Sequence, residues 1–280
     1  MKLGNQIPNA ARRVVFMEEV DSHKHVVMLE NGERRRLTEG DDWHLYPDIT
    51  DRGDKVTFVS GPDDEHLAVS ILDLESGKER FLTTADGRNL HPAFSADGSK
   101  IAFSEATGEK SRQITVMDTA EHSFEPPDAP RSRKVPGSEG GYFPTLSADG
   151  STVLYQRAHE AQRQIVKYDF RTETETVLAE GMAPTLSPDE TSFAYTRKVD
   201  GQWNIRVQNF QTGEVRQVTH TPHFDFAPSF APDGSLYFAS NRAGTFDIYR
   251  LESADLESGN GVPTVIVQGP ESFYAPEASA

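Results

Sequence analysis

The sequence predicts an all-β chain: a six-bladed β-propeller with four antiparallel strands per blade. Two observations carry this expectation. First, one phrase recurs: HPAFSADGSKIAFSE from His91, FPTLSADGSTVLYQR from Phe143, APTLSPDETSFAYTR from Ala183 and APSFAPDGSLYFASN from Ala227. YPDITDRGDKVTFVS from Tyr46 is a looser copy, and the marker prolines Pro47, Pro92, Pro144, Pro184, Pro228 and Pro276 lie 40 to 52 residues apart. A period of that length, divided into four short strands, is a propeller blade. Second, the chain opens on the last three strands of a blade, near Val14, Val26 and Arg35, and ends on a first strand at Pro276 to Ala280. Joining them in one blade hides the edges an open sheet would expose.

Each element of the unit follows from local chemistry. The proline presets an extended opening to strand one, where a missing N–H is tolerated. Asp97-Gly98, Asp149-Gly150 and Asp233-Gly234 then make tight turns, because Gly accepts positive φ and Asp bonds nearby backbone. An alternating second strand follows, as in Ile101-Ala102-Phe103 and Val153-Leu154-Tyr155. Third strands start at Val26, Val69, Ile114, Ile165, Ile205 and Ile248. The Ser76-Gly77 and Thr212-Gly213 turns lead to fourth strands such as Glu79 to Thr83 and Val215 to Thr219. Residues 1–12 read as an N-terminal extension and 13–280 as a single propeller domain. One blade is shared by 13–40 and 274–280; the others lie near 46–84, 91–136, 143–179, 183–219 and 227–268.

Ala183-Pro184-Thr185-Leu186-Ser187-Pro188-Asp189 and Ala227-Pro228-Ser229-Phe230-Ala231-Pro232-Asp233-Gly234 resemble the TolB-type propeller repeat. Ser240-Asn241-Arg242-Ala243-Gly244 and Asp247-Ile248-Tyr249 continue the resemblance. It implies a six-bladed propeller. It does not imply TolB's role, because the N-terminal α/β domain and signal peptide of that protein have no counterpart here. Related propellers serve as adaptors, as non-catalytic domains of prolyl-peptidases and as pectin-fragment lyases, so the fold alone selects no function.

Composition narrows the classes. With 44 acidic and 28 basic side chains the net charge is −16, which argues against nucleic acid and anionic membrane partners. No apolar run approaches the roughly 18 residues of a membrane span. There is no cysteine, which excludes disulfides, thiolate zinc sites and cysteine catalysis. The start MKLGNQIPNAARRVVF lacks the apolar stretch of a signal peptide. That predicts a cytoplasmic chain, or a periplasmic or secreted one if the chain is a processed form.

In a propeller, the segments entering strand one and the loops between strands two and three share one face. The candidate binding residues gather there: Trp43, His44, Tyr46, Asn89, His91, Tyr142, His223, Asp225 and Tyr274. One reading has these rings filling gaps between blades. The other makes them a binding rim of aromatics with polar handles. Arg157, Arg197 and Arg242 follow strand two; they pair with carboxylates such as Glu18 and Glu105 or hold an acidic or peptide ligand through guanidinium forks.

His44, His91 and His223 are the best three-imidazole candidates, but no local motif supports a metal, and none is predicted. His25 of His23-Lys24-His25 aligns with Ala68 and Gln113, an ordinary repeat position, and Asp63-Asp64-Glu65 reads as a solvated loop. Nucleophile-elbow, phosphate-loop, zinc-protease and dinucleotide motifs are missing, so no catalytic residue or cofactor is predicted. Glu139, Asp225 and Glu271 are the carboxylates near the channel in the repeat frame. The insertion Ala120 to Lys134 reads as an exposed loop on the opposite face. The expected function is non-catalytic: a scaffold binding a protein or peptide at the channel mouth. The alternative is a carbohydrate-active lyase or hydrolase taking acidic oligosaccharides into the channel.

Overall fold

The computed structural model describes residues 13–20, 23–108, 111–120, 132–160, 162–259, 261–269 and 272–279. These form six four-stranded antiparallel sheets, one per blade. Blade I joins the two ends of the chain: Ser272–Ala278, Arg13–Val20, His23–Glu30 and Glu33–Arg36. Blade II comprises Trp43–Ile49, Lys55–Asp63, His66–Asp73 and Glu79–Phe81. Blade III comprises Leu90–Phe94, Lys100–Gly108, Ser111–Asp118 and Ser132–Lys134. Blade IV comprises Gly141–Leu146, Thr152–His159, Gln162–Asp169 and Thr174–Glu180. Blade V comprises Met182–Leu186, Ser192–Val199, Gln202–Asn209 and Val215–Gln217. Blade VI comprises Asp225–Phe230, Leu236–Ser240, Asp247–Leu251 and Thr264–Val267. A short helix, Ser253–Ser258, which the strand pattern does not foretell, interrupts the connection between strands three and four of blade VI. Among the described residues no helix is long and apolar enough to cross a membrane.

The core is divided rather than central. Five of the six hydrophobic clusters lie between two neighbouring blades, and the sixth joins blades II and III and takes in Met17 of blade I. Phe16 and Val27 of blade I meet Tyr237 and Ile248 of blade VI; Leu154 and Ile165 of blade IV meet Phe193 and Tyr195 of blade V. Both faces of a blade are therefore buried, which explains the near-continuous apolar runs in strands two and three. Strand one of each blade contacts strand one of the next, and the ring closes through blade I.

The Asp turns follow the expected chemistry. Asp97 Oδ1 accepts the Ser99 N–H at 2.9 Å and the Ser95 hydroxyl at 2.8 Å. Asp149 repeats this with Ser151 N–H and Ser147, at 2.8 and 2.9 Å. Blade V has Glu190 where blades II, III, IV and VI have Gly; its φ is 55°, and its Oε1 accepts the Ala148 N–H of blade IV at 2.5 Å.

The prolines behave differently from a strand opening. They lie inside strand one, where the ladder shifts register, as between Leu45 and Asp48 and between Phe226 and Ser229. The preceding residue is left-handed every time: Tyr46, His91, Phe143, Ala183, Ala227 and Ala275 have φ of 46 to 53°. This runs against the extended backbone usual before proline. Strand one lines the channel with its inner edge unpaired, so the lost N–H breaks no ladder bond, and the bulge turns the chain at the channel wall. The insertion Ala120 to Lys134 lies largely outside the described residues, as do residues 1–12 and Glu271.

Candidate functional site: the aromatic mouth

The left-handed residue before each proline decides what stands at the channel mouth. Blades II, III and IV carry rings there. The His91 imidazole lies between Tyr46, at 4.1 Å centroid to centroid, and Phe143, at 3.7 Å. Phe143 also meets Phe226 edge-on at 5.8 Å. Blades IV and VI are not neighbours, so this contact spans the channel. From Phe226 the rings continue to Phe224 at 5.4 Å, Phe246 at 5.9 Å and Tyr274 at 5.1 Å. Together they form an aromatic floor across the mouth. Blades V, VI and I have only Ala183, Ala227 and Ala275 at the proline register, and Phe226 of blade VI comes one residue earlier.

Below this floor the channel encloses about 180 Å³, lined by strand one of all six blades. Its carboxylates are Asp48, Asp51, Glu190 and Glu277, and no Lys or Arg lines it among the described residues. Asp48 Oδ2 accepts the Phe94 N–H at 2.5 Å, and Glu277 accepts the Ser229 hydroxyl. Seclusion from bulk water pushes Asp48 up to about 7, despite the N–H bonds that oppose this. Seclusion first, and the Asp48 charge second, hold Glu277 well above the ordinary carboxylate range.

The expected mouth residues divide into three sets. Tyr46, His91 and Tyr142 come together, Tyr142 lying 5.9 Å from His91. Trp43 and Tyr274 are half-buried on the same face; Trp43 carries the Lys24 ammonium 4.5 Å above its ring. The remainder stand elsewhere. Asn89 is buried, and its Nδ2 donates to the Leu67 carbonyl at 2.8 Å, tying blade III to blade II. Asp225 is fully buried, accepts the Thr221 hydroxyl at 3.1 Å and pairs with Arg242 at 3.0 Å. His223 is exposed on the preceding loop.

His44 is buried against Phe58 and His25, at 5.8 and 6.1 Å. The three candidate imidazoles therefore stand apart. Burial holds His25, His44 and His91 below the usual histidine range, and the Nδ1 of each lacks a partner. The arginines after strand two each meet a carboxylate: Arg157 grips Glu175 through two bonds of 2.9 and 2.7 Å, Arg197 meets Glu180 at 3.2 Å, and Arg242 meets Asp225.

Two cations at this mouth went unnoticed in the sequence. Arg88 enters strand one of blade III, and Arg112 opens strand three of the same blade. The Arg112 guanidinium lies 5.4 Å from the Tyr142 ring and donates to the Arg88 carbonyl. Arg88 pairs with Asp64 at 3.3 Å, and its Nε is buried without a partner. A signal existed: Lys24, Arg112 and Arg163 share one register at the head of strand three, each one residue before the position shared by His25, Gln113 and Gln164.

Residues 141–275 match the TolB β-propeller domain family. TolB from Acinetobacter baumannii superposes with a TM-score of 0.79 at 19% identity, over 95% of this chain and 66% of its own. This chain is a TolB-like six-bladed propeller. It spans about two thirds of the length of that TolB. The TolB-like ring also superposes on a chain of a nidogen/laminin complex, with a TM-score of 0.71 and 10% identity over 96% of this chain and 98% of the other. An oligogalacturonate lyase in complex with manganese matches at TM-score 0.59 and 16% identity, over 92% of this chain and 74% of its own. At these identities the likeness to the solved structures is one of fold.

Proposed function

We propose that this TolB-like propeller is a non-catalytic scaffold that binds a protein or peptide partner across its aromatic mouth. The observation that carries the reading is the contact of Tyr46, His91, Phe143 and Phe226 over the channel. A ligand arriving at this face meets a broad shallow aromatic floor rather than a deep tunnel. Such a floor suits apolar side chains presented by a partner, and flat rings supply contact area at little entropic cost. Three carboxylates on this side are engaged: Asp64 with Arg88, Glu180 with Arg197 and Asp225 with Arg242.

The test selects displayed peptides on the full chain and compares their binding to wild type and Tyr142→Ala. Peptides that require Tyr142 support the reading. The rival carbohydrate-active enzyme is assayed in parallel on acidic oligosaccharides, with and without added manganese. Turnover that chelation abolishes overturns the scaffold reading.

A further inference from the structure

Resting on the mouth-binding reading, we propose that Arg112 and Arg88, with the Tyr142 and Tyr46 phenols, form a subsite for a carboxylate group of an acidic peptide. The groups are donors. Among the described residues Arg112 has no carboxylate partner; its recorded contacts are the Arg88 carbonyl and the Tyr142 face. Among the described residues only Asp64 pairs with Arg88, through one terminal nitrogen at 3.3 Å, while the Arg88 Nε is buried out of a ligand's reach. Neither phenol oxygen makes a hydrogen bond among the described residues. The corner thus offers the Arg112 guanidinium, the remaining terminal N–H donors of Arg88 and two O–H donors to an anion. The cation–π contact with Tyr142 and the bond to the Arg88 carbonyl restrain the Arg112 side chain, which lowers the ordering cost of an ion pair. Both arginines act on the ring beneath them, since their charges, after burial, help keep His91 unprotonated.

The net charge of −16 opposes an acidic ligand at long range. Salt screens that field beyond about 8 Å, so the local pair of cations decides the contact. A peptide suits the corner better than a uronate sugar. The Phe143 and Phe226 floor beside it accepts apolar side chains, which a sugar lacks.

A random displayed peptide library is selected on the full chain, and recovered sequences are made as free labelled peptides. Fluorescence polarisation then reads binding to wild type, Arg112→Gln, Arg112→Lys and Tyr142→Ala, with circular dichroism melts as fold controls. We expect Asp and Glu to be enriched, and Arg112→Gln to weaken binding about 10- to 100-fold, as losing a charged hydrogen-bonding partner does. Arg112→Lys retains part of it. Changing the critical peptide Asp or Glu to its amide costs the same factor on wild type and little more on Arg112→Gln. This arm holds even if a variant folds poorly. Peptides that need Tyr142 but show no acidic bias and ignore Arg112→Gln overturn the subsite and leave mouth binding standing. The absence of any Tyr142-dependent peptide overturns both. Trigalacturonate binding that requires Arg112, with no acidic peptide recovered, assigns the carboxylate site to sugar and overturns the peptide.

Discussion

The His91 imidazole rests 3.7 Å from the Phe143 ring, and both residues hold a left-handed backbone before a proline. One repeat position thereby places side chains from separate blades over one channel. Because burial keeps His91 below its usual range, the unfolded chain takes up a proton on acidification that the folded chain refuses. Stability through this residue is therefore lost as pH falls below about 6.5, the unfolded value. His25 and His44 add the same sign. His91→Ala keeps a compatible backbone, since Ala183 and Ala227 occupy that register in blades V and VI. We predict a smaller loss of melting temperature between about pH 6.5 and pH 5 in His91→Ala than in wild type. Equal losses reject the assignment.

The channel carboxylates act in the opposite direction. Asp48 is raised to about 7 and Glu277 is raised with it, so the folded chain holds protons that the unfolded chain has released. Their contribution is present below the unfolded pKa of about 4 and is lost as pH rises toward neutrality. Asp48→Asn removes the charge at nearly constant shape. It should raise the melting temperature more at about pH 8 than at about pH 5. A pH-independent gain would show that Asp48 titrates normally.

Asp225 and Arg242 are a structural pair. Asp225 is fully buried, so Asp225→Ala strands the guanidinium beside Phe238 and Tyr249. We predict a loss of about 3–5 kcal/mol, typical of breaking a buried pair. Arg197→Ala, at a half-exposed pair with Glu180, should cost under about 1 kcal/mol. Urea denaturation of both variants measures the contrast, and similar costs would contradict the burial assigned to Asp225.

Closure depends on Ser272–Ala278 pairing with Arg13–Val20, in the register Tyr274 to Met17 and Ala278 to Val14. Phe273 is fully buried and meets Phe16 edge-on at 5.6 Å. Phe273→Ala should cost about 3–5 kcal/mol by cavity formation. Deleting residues 273–280 should bring aggregation or a large fall in melting temperature, because two neighbouring blades lose their apolar cover. A truncated chain that melts like the intact one would refute the shared blade.

Blade number, strand order, the Asp turns and the shared blade were all legible in the residues. They depend on local rules that repeat: short apolar runs at a fixed period, Gly at positive φ, and Asp accepting nearby N–H groups. Which side chains form the site was legible only in part. Tyr46 and His91 share a register with Phe143 and meet, and Tyr142, one residue earlier, also reaches His91, while His44 and Asp225, close to the same prolines, turn into the blade interfaces. A one-residue step along a strand reverses the face, and the bulge at each proline resets that step. The cations Arg88 and Arg112 come from a loop and the head of a different strand, and the channel carboxylates Asp48 and Glu277 from blades II and I. Sequence periodicity alone determined the ring of blades. Tertiary closure decided which residues meet across its axis, because those contacts join positions with no local relationship along the chain.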